Sequence, residues 1–103
     1  MPINILEEAL EEAAEAAAWY EKECKGLGYD FFNAVEAAFD VIEGNTLPLS
    51  PMSNKINLID VKRLILKRFP FDIIVLERPT KKTIIAVAHH AKKPGYWRGR
   101  ITS

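Results

Sequence analysis

The chain has 103 residues, 49% hydrophobic and 27% charged, with 14 basic and 14 acidic side chains and a net charge of zero. This composition is that of an ordinary globular protein, and the length fits one domain, residues 1–103, with a modest core. No apolar run approaches the roughly 20 residues that cross a bilayer, and no basic flank leads into an apolar segment, so neither a membrane span nor a signal peptide is expected. Cys24 is the only cysteine, which excludes an internal disulfide and a cysteine-based zinc cluster and fits a reducing cytoplasm.

In chain order, Ile3 to Leu6 reads as an edge strand or as the lead-in to a helix. Asn4 with Glu7 resembles a capping box, which favours helix from the outset. Glu8 to Lys25 is helical: Leu10, Ala13, Ala14, Ala17, Tyr20 and Cys24 recur at three- and four-residue spacing. Glu7, Glu8, Glu11, Glu12 and Glu15 read as a solvated acidic face that suits the positive end of the helix dipole. Gly26-Leu27-Gly28 ends this helix. Phe31, Phe32, Val35, Phe39 and Ile42 start a second one, and so short a link makes the pair an antiparallel hairpin. Residues 44–56, with Gly44, Asn45, Pro48, Ser50, Pro51 and Ser53, read as a loop.

The period then changes. From Lys62 to Phe69, Leu64 and Leu66 share one strand face, and Arg63, Ile65 and Lys67 the other. Pro70 marks a turn or bulge before a second strand, Phe71 to Glu77, apolar enough for burial on both sides. Pro79-Thr80-Lys81-Lys82 is a hairpin connection to a third strand, Thr83 to His89. The expected class is therefore α+β: a helix hairpin on one face of a 3–4-stranded antiparallel sheet, the other face partly open.

The zero net charge conceals a division. Residues 1–52 carry 11 acids and 2 bases, a net of −9, whereas residues 53–103 carry 3 acids and 12 bases, a net of +9. A field divided in this way steers an anionic partner toward the basic half.

Certain residues resemble a known family. They are the Glu/Ala-rich helix carrying Trp19-Tyr20, Gly26-Leu27-Gly28, Phe69-Pro70-Phe71, Ala86-Val87-Ala88-His89, and Pro94 with Tyr96-Trp97 and Arg100. In that order they resemble the RelE/ParE superfamily, the toxins of bacterial type II toxin–antitoxin systems, also called plasmid stabilisation proteins. The resemblance implies a cognate antitoxin as partner, whose extended segment wraps the toxin, and no cofactor. It also implies one of two activities: RelE-like members cleave ribosome-bound messenger RNA as endoribonucleases, and ParE-like members bind DNA gyrase without catalysis. An inactive homologue that only binds its antitoxin is a third possibility.

Metal-independent RNA cleavage needs cations around the phosphate and groups that move protons. The positions matching the family's scheme are Arg63, Lys67, Arg68, Lys93 and Tyr96 as catalytic candidates. Lys62, His90, Lys92, Arg98 and Arg100 are candidates for nucleic-acid binding. Strand alternation places Arg63 and Lys67 on one side about 13 Å apart, a spacing that suits two successive phosphates. His89 reads as a structural residue bonded to the helix hairpin, Tyr96 and Trp97 as packing on Trp19 and Tyr20 or on the sheet edge, and Cys24 as a helix residue with no nucleophilic role. The chain departs from the family in carrying His90-Ala91-Lys92-Lys93 where many members have arginines, which removes the bidentate grip on phosphate.

Overall fold

The computed structural model describes residues 3–44, 50–51, 60–78 and 81–101. Its elements are β1 (Ile3–Ile5), α1 (Glu7–Glu23), α2 (Leu27–Gly44), β2 (Ser50–Pro51), β3 (Asp60–Ile65), β4 (Phe71–Glu77), β5 (Lys82–His89) and a C-terminal 3₁₀ helix (Tyr96–Arg100). The sheet runs β1-β5-β4-β3-β2, with β3, β4 and β5 an antiparallel meander as expected. β1 lies parallel to β5 at the edge, pairing Ile3 with Lys82 and Ile5 with Ile84, so the sheet is mixed. Most of the expected 44–56 loop, and Pro79-Thr80, lie outside the described residues.

At the N-terminus the edge-strand reading holds and the capping box does not form. Ile3–Ile5 is strand and not helix, and no side chain caps α1, whose N-cap position is Leu6. An edge of β5 was available to pair with these residues, and the ladder outweighs a local capping box.

At the helix hairpin, Gly26 takes φ +90°, where a side chain is disfavoured. α2 starts at the next residue, so Gly28 lies inside α2, where any Cβ would overlap the Ala17 carbonyl oxygen. Glu21 accepts hydrogen bonds from the Gly26 and Gly28 amides at 3.0 and 3.1 Å, so a carboxylate of α1 satisfies the first free donors of α2.

The core has two parts. On the helix side, Ala9 and Ala13 of α1 and Phe31, Val35, Ala38 and Ile42 of α2 cover Phe71, Ile73, Val75, Ile84 and Val87. On the other side Val61, Ile74, Leu76, Ile85, Ala86 and Ala88 lie beneath Trp97, which is 4% exposed. This second face was expected to be partly open, but the 3₁₀ helix closes much of it. Ile74 pairs with Ala86 and Val75 with Ile84, leaving Ile85 skipped; this bulge turns Ile85 and Ala86 to the same face.

β3 stops at Ile65, and 66–70 is a bend held by the Leu66 amide on the Phe71 carbonyl, 3.0 Å. The expected strand to Phe69 is therefore too long, and Arg63 and Lys67 do not share a strand face. Pro70 lacks an amide for the ladder, and buried Phe69 and Leu66 turn into the helix-side core instead.

Candidate functional site

A cleft of about 280 Å³ opens on the sheet face away from the helices, beside the 3₁₀ helix. β3 supplies Arg63, β4 supplies Asp72, and the turn after β5 supplies His90, Lys92 and Lys93. That turn is pinned by main-chain bonds: the His90 amide donates to the Pro70 carbonyl at 2.8 Å, and Lys92 to the His89 carbonyl at 3.0 Å. Gly95, at φ +79°, then reverses the chain so that Tyr96 and Trp97 form the far wall.

Asp72 sits at the centre. His90 Nε2 lies 2.8 Å from its Oδ1, and Arg63 Nη1 lies 3.7 Å from its Oδ2. The Asp72 side chain is 14% exposed and that of His90 45%. Arg63 Nε is buried with no hydrogen-bond partner. Lys92 Nζ lies over the Tyr96 ring, 5.6 Å from its centroid, while Lys93 has no ion pair among the described residues.

Of the ten sequence candidates, the cleft brings together Arg63, His90, Lys92, Lys93 and Tyr96. The other five lie elsewhere. Lys62 pairs with Glu77. Lys67 and Arg68 rim a separate apolar groove beside α2, floored by Ala34, Ala37, Ala38 and Val41, and Arg68 lies 3.8 Å from Asp30. Arg98 is exposed beside Gly95.

Arg100 is committed to α1. Its Nη1 and Nη2 donate to Oε1 and Oε2 of Glu12 at 2.9 and 3.1 Å, and Nη1 also donates to the Ile85 carbonyl at 3.0 Å. Glu12 further accepts from the Val87 amide at 3.0 Å and from the Tyr96 hydroxyl at 2.6 Å. β1 pairs with β5 only as far as Ile84, so Glu12 and Arg100 satisfy the edge of β5 beyond it. Burial holds the Tyr96 hydroxyl far above the usual tyrosine range, and its bond to Glu12 and that carboxylate's charge add to the effect against the opposing pull of Arg100. Its hydroxyl proton is thereby directed at Glu12.

His89 does not bond to the helices. Its Nδ1 accepts from the Ala91 amide at 2.9 Å, and its ring stands edge-on to Phe71. Tyr96 and Trp97 do not meet Trp19 and Tyr20; those two rings stack edge-to-face with each other, 5.2 Å apart. Cys24 is exposed at the end of α1.

Two residues of the network were not singled out from the sequence. Asp72 carried a usable signal, since an acid inside the otherwise apolar run FDIIVL needs a partner when that strand is buried. Glu12 carried none, being one of seven glutamates on the same helix. No helix of the described residues is long and apolar enough to cross a membrane.

No protein-family model and no curated protein matches the sequence. Among solved structures, the chain is similar to one from the chromosomal ParDE TA system of P. aeruginosa, with a TM-score of 0.61 and 14% identity over 86% of this chain and 95% of that one. The likeness is one of fold, two helices on a mixed sheet, and agrees with the α+β RelE/ParE-like class expected from the residues.

Proposed function

We propose that this protein is the toxin of a bacterial type II toxin–antitoxin system and that it blocks translation by cutting ribosome-bound messenger RNA. The observation that carries the reading is the convergence of Arg63, His90, Lys92 and Lys93 in one cleft, supplied by a strand and a turn far apart in sequence. Arg63, Lys92 and Lys93 so placed attract the phosphodiester and stabilise the charge that builds on phosphorus during attack by the 2′-hydroxyl, without a metal or cofactor. Lys67 and Arg68 are left for the antitoxin: their groove offers an apolar floor and a basic rim, which an acidic amphipathic segment complements. The test is a reporter translation assay with primer extension on the message. New 5′ ends that appear with the loss of translation support the nuclease, and blocked translation without them excludes it.

A second reading is a ParE-like protein that binds DNA gyrase without chemistry. It is favoured by the likeness to the ParDE chain and by the internal pairing of Lys62, Arg63 and Arg100 with carboxylates, which leaves fewer cations for RNA. A supercoiling assay separates the two, because this reading requires cleaved or relaxed plasmid to accumulate.

A further inference from the structure

Cleavage by a 2′-hydroxyl requires a group with a free lone pair to remove its proton, and the cleft restricts the choice. Tyr96 is bound to Glu12, and Glu12 is filled by donors from Val87, Tyr96 and Arg100. His89 already accepts a bond at Nδ1. Lysines and arginines, as cations, hold no lone pair to offer. Asp72 is mostly buried and shared between His90 and Arg63.

His90 remains. Its Nε2 faces the Asp72 carboxylate at 2.8 Å, and a carboxylate accepts only, so the ring proton resides on Nε2. The neutral ring then presents an unprotonated Nδ1. The ring is 45% exposed at the cleft, and among the described residues no hydrogen bond is made to Nδ1. The charged and titratable groups lining the cleft around it are Arg63 from β3, Asp72 from β4, Lys92 and Lys93 from its own turn, and Tyr96 from the 3₁₀ helix.

We propose that His90 is the general base of the cleavage, with Asp72 as the positioning residue that fixes its tautomer and orientation. The assignment rests on the nuclease reading above. His90 Nδ1 takes the proton of the 2′-hydroxyl as the O2′–P bond forms. The P–O5′ bond breaks, and the leaving oxygen takes a proton from the Lys93 ammonium, which solvent replaces. The imidazolium returns its proton to solvent, and the products are a 2′,3′-cyclic phosphate and a 5′-hydroxyl end. Asp72 also holds Arg63 from the opposite oxygen, so one carboxylate orders both the base and a phosphate-binding cation.

The experiment is a reconstituted translation reaction in which the rate of new 5′ ends is followed against toxin concentration and pH. His90→Gln is expected to lower the maximal rate roughly 10²- to 10⁴-fold with little change in the half-saturating concentration, and to abolish the acid limb of the pH–rate profile. Asp72→Asn is expected to lower the rate at least about tenfold and to displace that limb, because an amide can donate to Nε2 and favour the wrong tautomer. Cleavage by His90→Gln within about twofold of the natural protein overturns the assignment and leaves the nuclease reading standing. Tighter RNA binding by Asp72→Asn with undiminished cleavage overturns the positioning role, since Asp72 is then only a charge that occupies Arg63. No cleavage by the natural protein overturns the nuclease reading and this inference together. Thermal melts of both variants confirm that losses are not due to unfolding.

Discussion

Glu12 and Arg100 lie 88 residues apart and meet in a two-pronged ion pair of 2.9 and 3.1 Å, each side chain 20% exposed. The pair ties the first helix to the last turn of the described chain, and it seats the Trp97 indole on the second core. Several consequences can be measured.

Glu12→Gln removes the charge that Arg100 faces while leaving the side chain's shape. Breaking a mostly buried, hydrogen-bonded pair from one side costs about 2–4 kcal/mol. For a domain of this size, the melting temperature should fall by about 8 °C or more. A double-mutant cycle with Arg100→Met should return a coupling of about 0.5–3 kcal/mol. A coupling near zero means that the pair does not hold the 3₁₀ helix in place.

The Tyr96 hydroxyl makes stability sensitive to alkali. Its folded value is raised above the unfolded one of about 10, so below that pH both states carry the proton and stability does not depend on this group. As pH climbs above it, the unfolded chain ionises first and binds fewer protons than the native one, so stability falls until the folded value is reached. Urea midpoints measured through the tyrosine range should show this decline, and Tyr96→Phe should remove its share.

Gly28→Ala places a methyl group against the Ala17 carbonyl and the Glu21 side chain. The backbone of α1 cannot move aside without separating the two helices, so the expected cost is about 1–3 kcal/mol. The same change at exposed Gly99, where nothing lies near, should be nearly neutral. Chemical denaturation of the two variants gives the comparison.

Cations without an internal carboxylate partner should dominate binding to single-stranded RNA. Lys92→Gln and Lys93→Gln should each lower the slope of log affinity against log salt by about 0.7. Lys62→Gln should leave it unchanged, because that ammonium is already engaged by Glu77. A salt-independent affinity means that the basic cleft meets a protein and not a phosphate chain.

The helix hairpin, the meander of β3, β4 and β5 and the fold class were legible in the residues, because they depend on local periodicity and on turn chemistry. Repeated apolar spacing around Phe31, Val35 and Ile42 forces a buried helix face whatever surrounds it, and the continuous apolar run from Ile73 to Leu76 demands cover on both sides. The division of charge between the two halves could also be counted directly.

What covers the second face, and which cations stay unpaired, only tertiary structure decided. Between the strand and helix readings of Ile3–Ile5, strand was settled by the partner that β5 offered. The glutamates of α1 are alike in sequence, yet among the described residues it is Glu12 that accepts hydrogen bonds from Tyr96, Arg100 and the Val87 amide, at the edge of β5 beyond β1. Arg100 was thereby withdrawn from the solvent-facing cations, whereas His90, Arg63 and Asp72 were drawn together from three separate segments. Ion pairing falls off within a few ångströms, so partners distant in the chain are settled by the packing of whole elements and not by the spacing of residues along it.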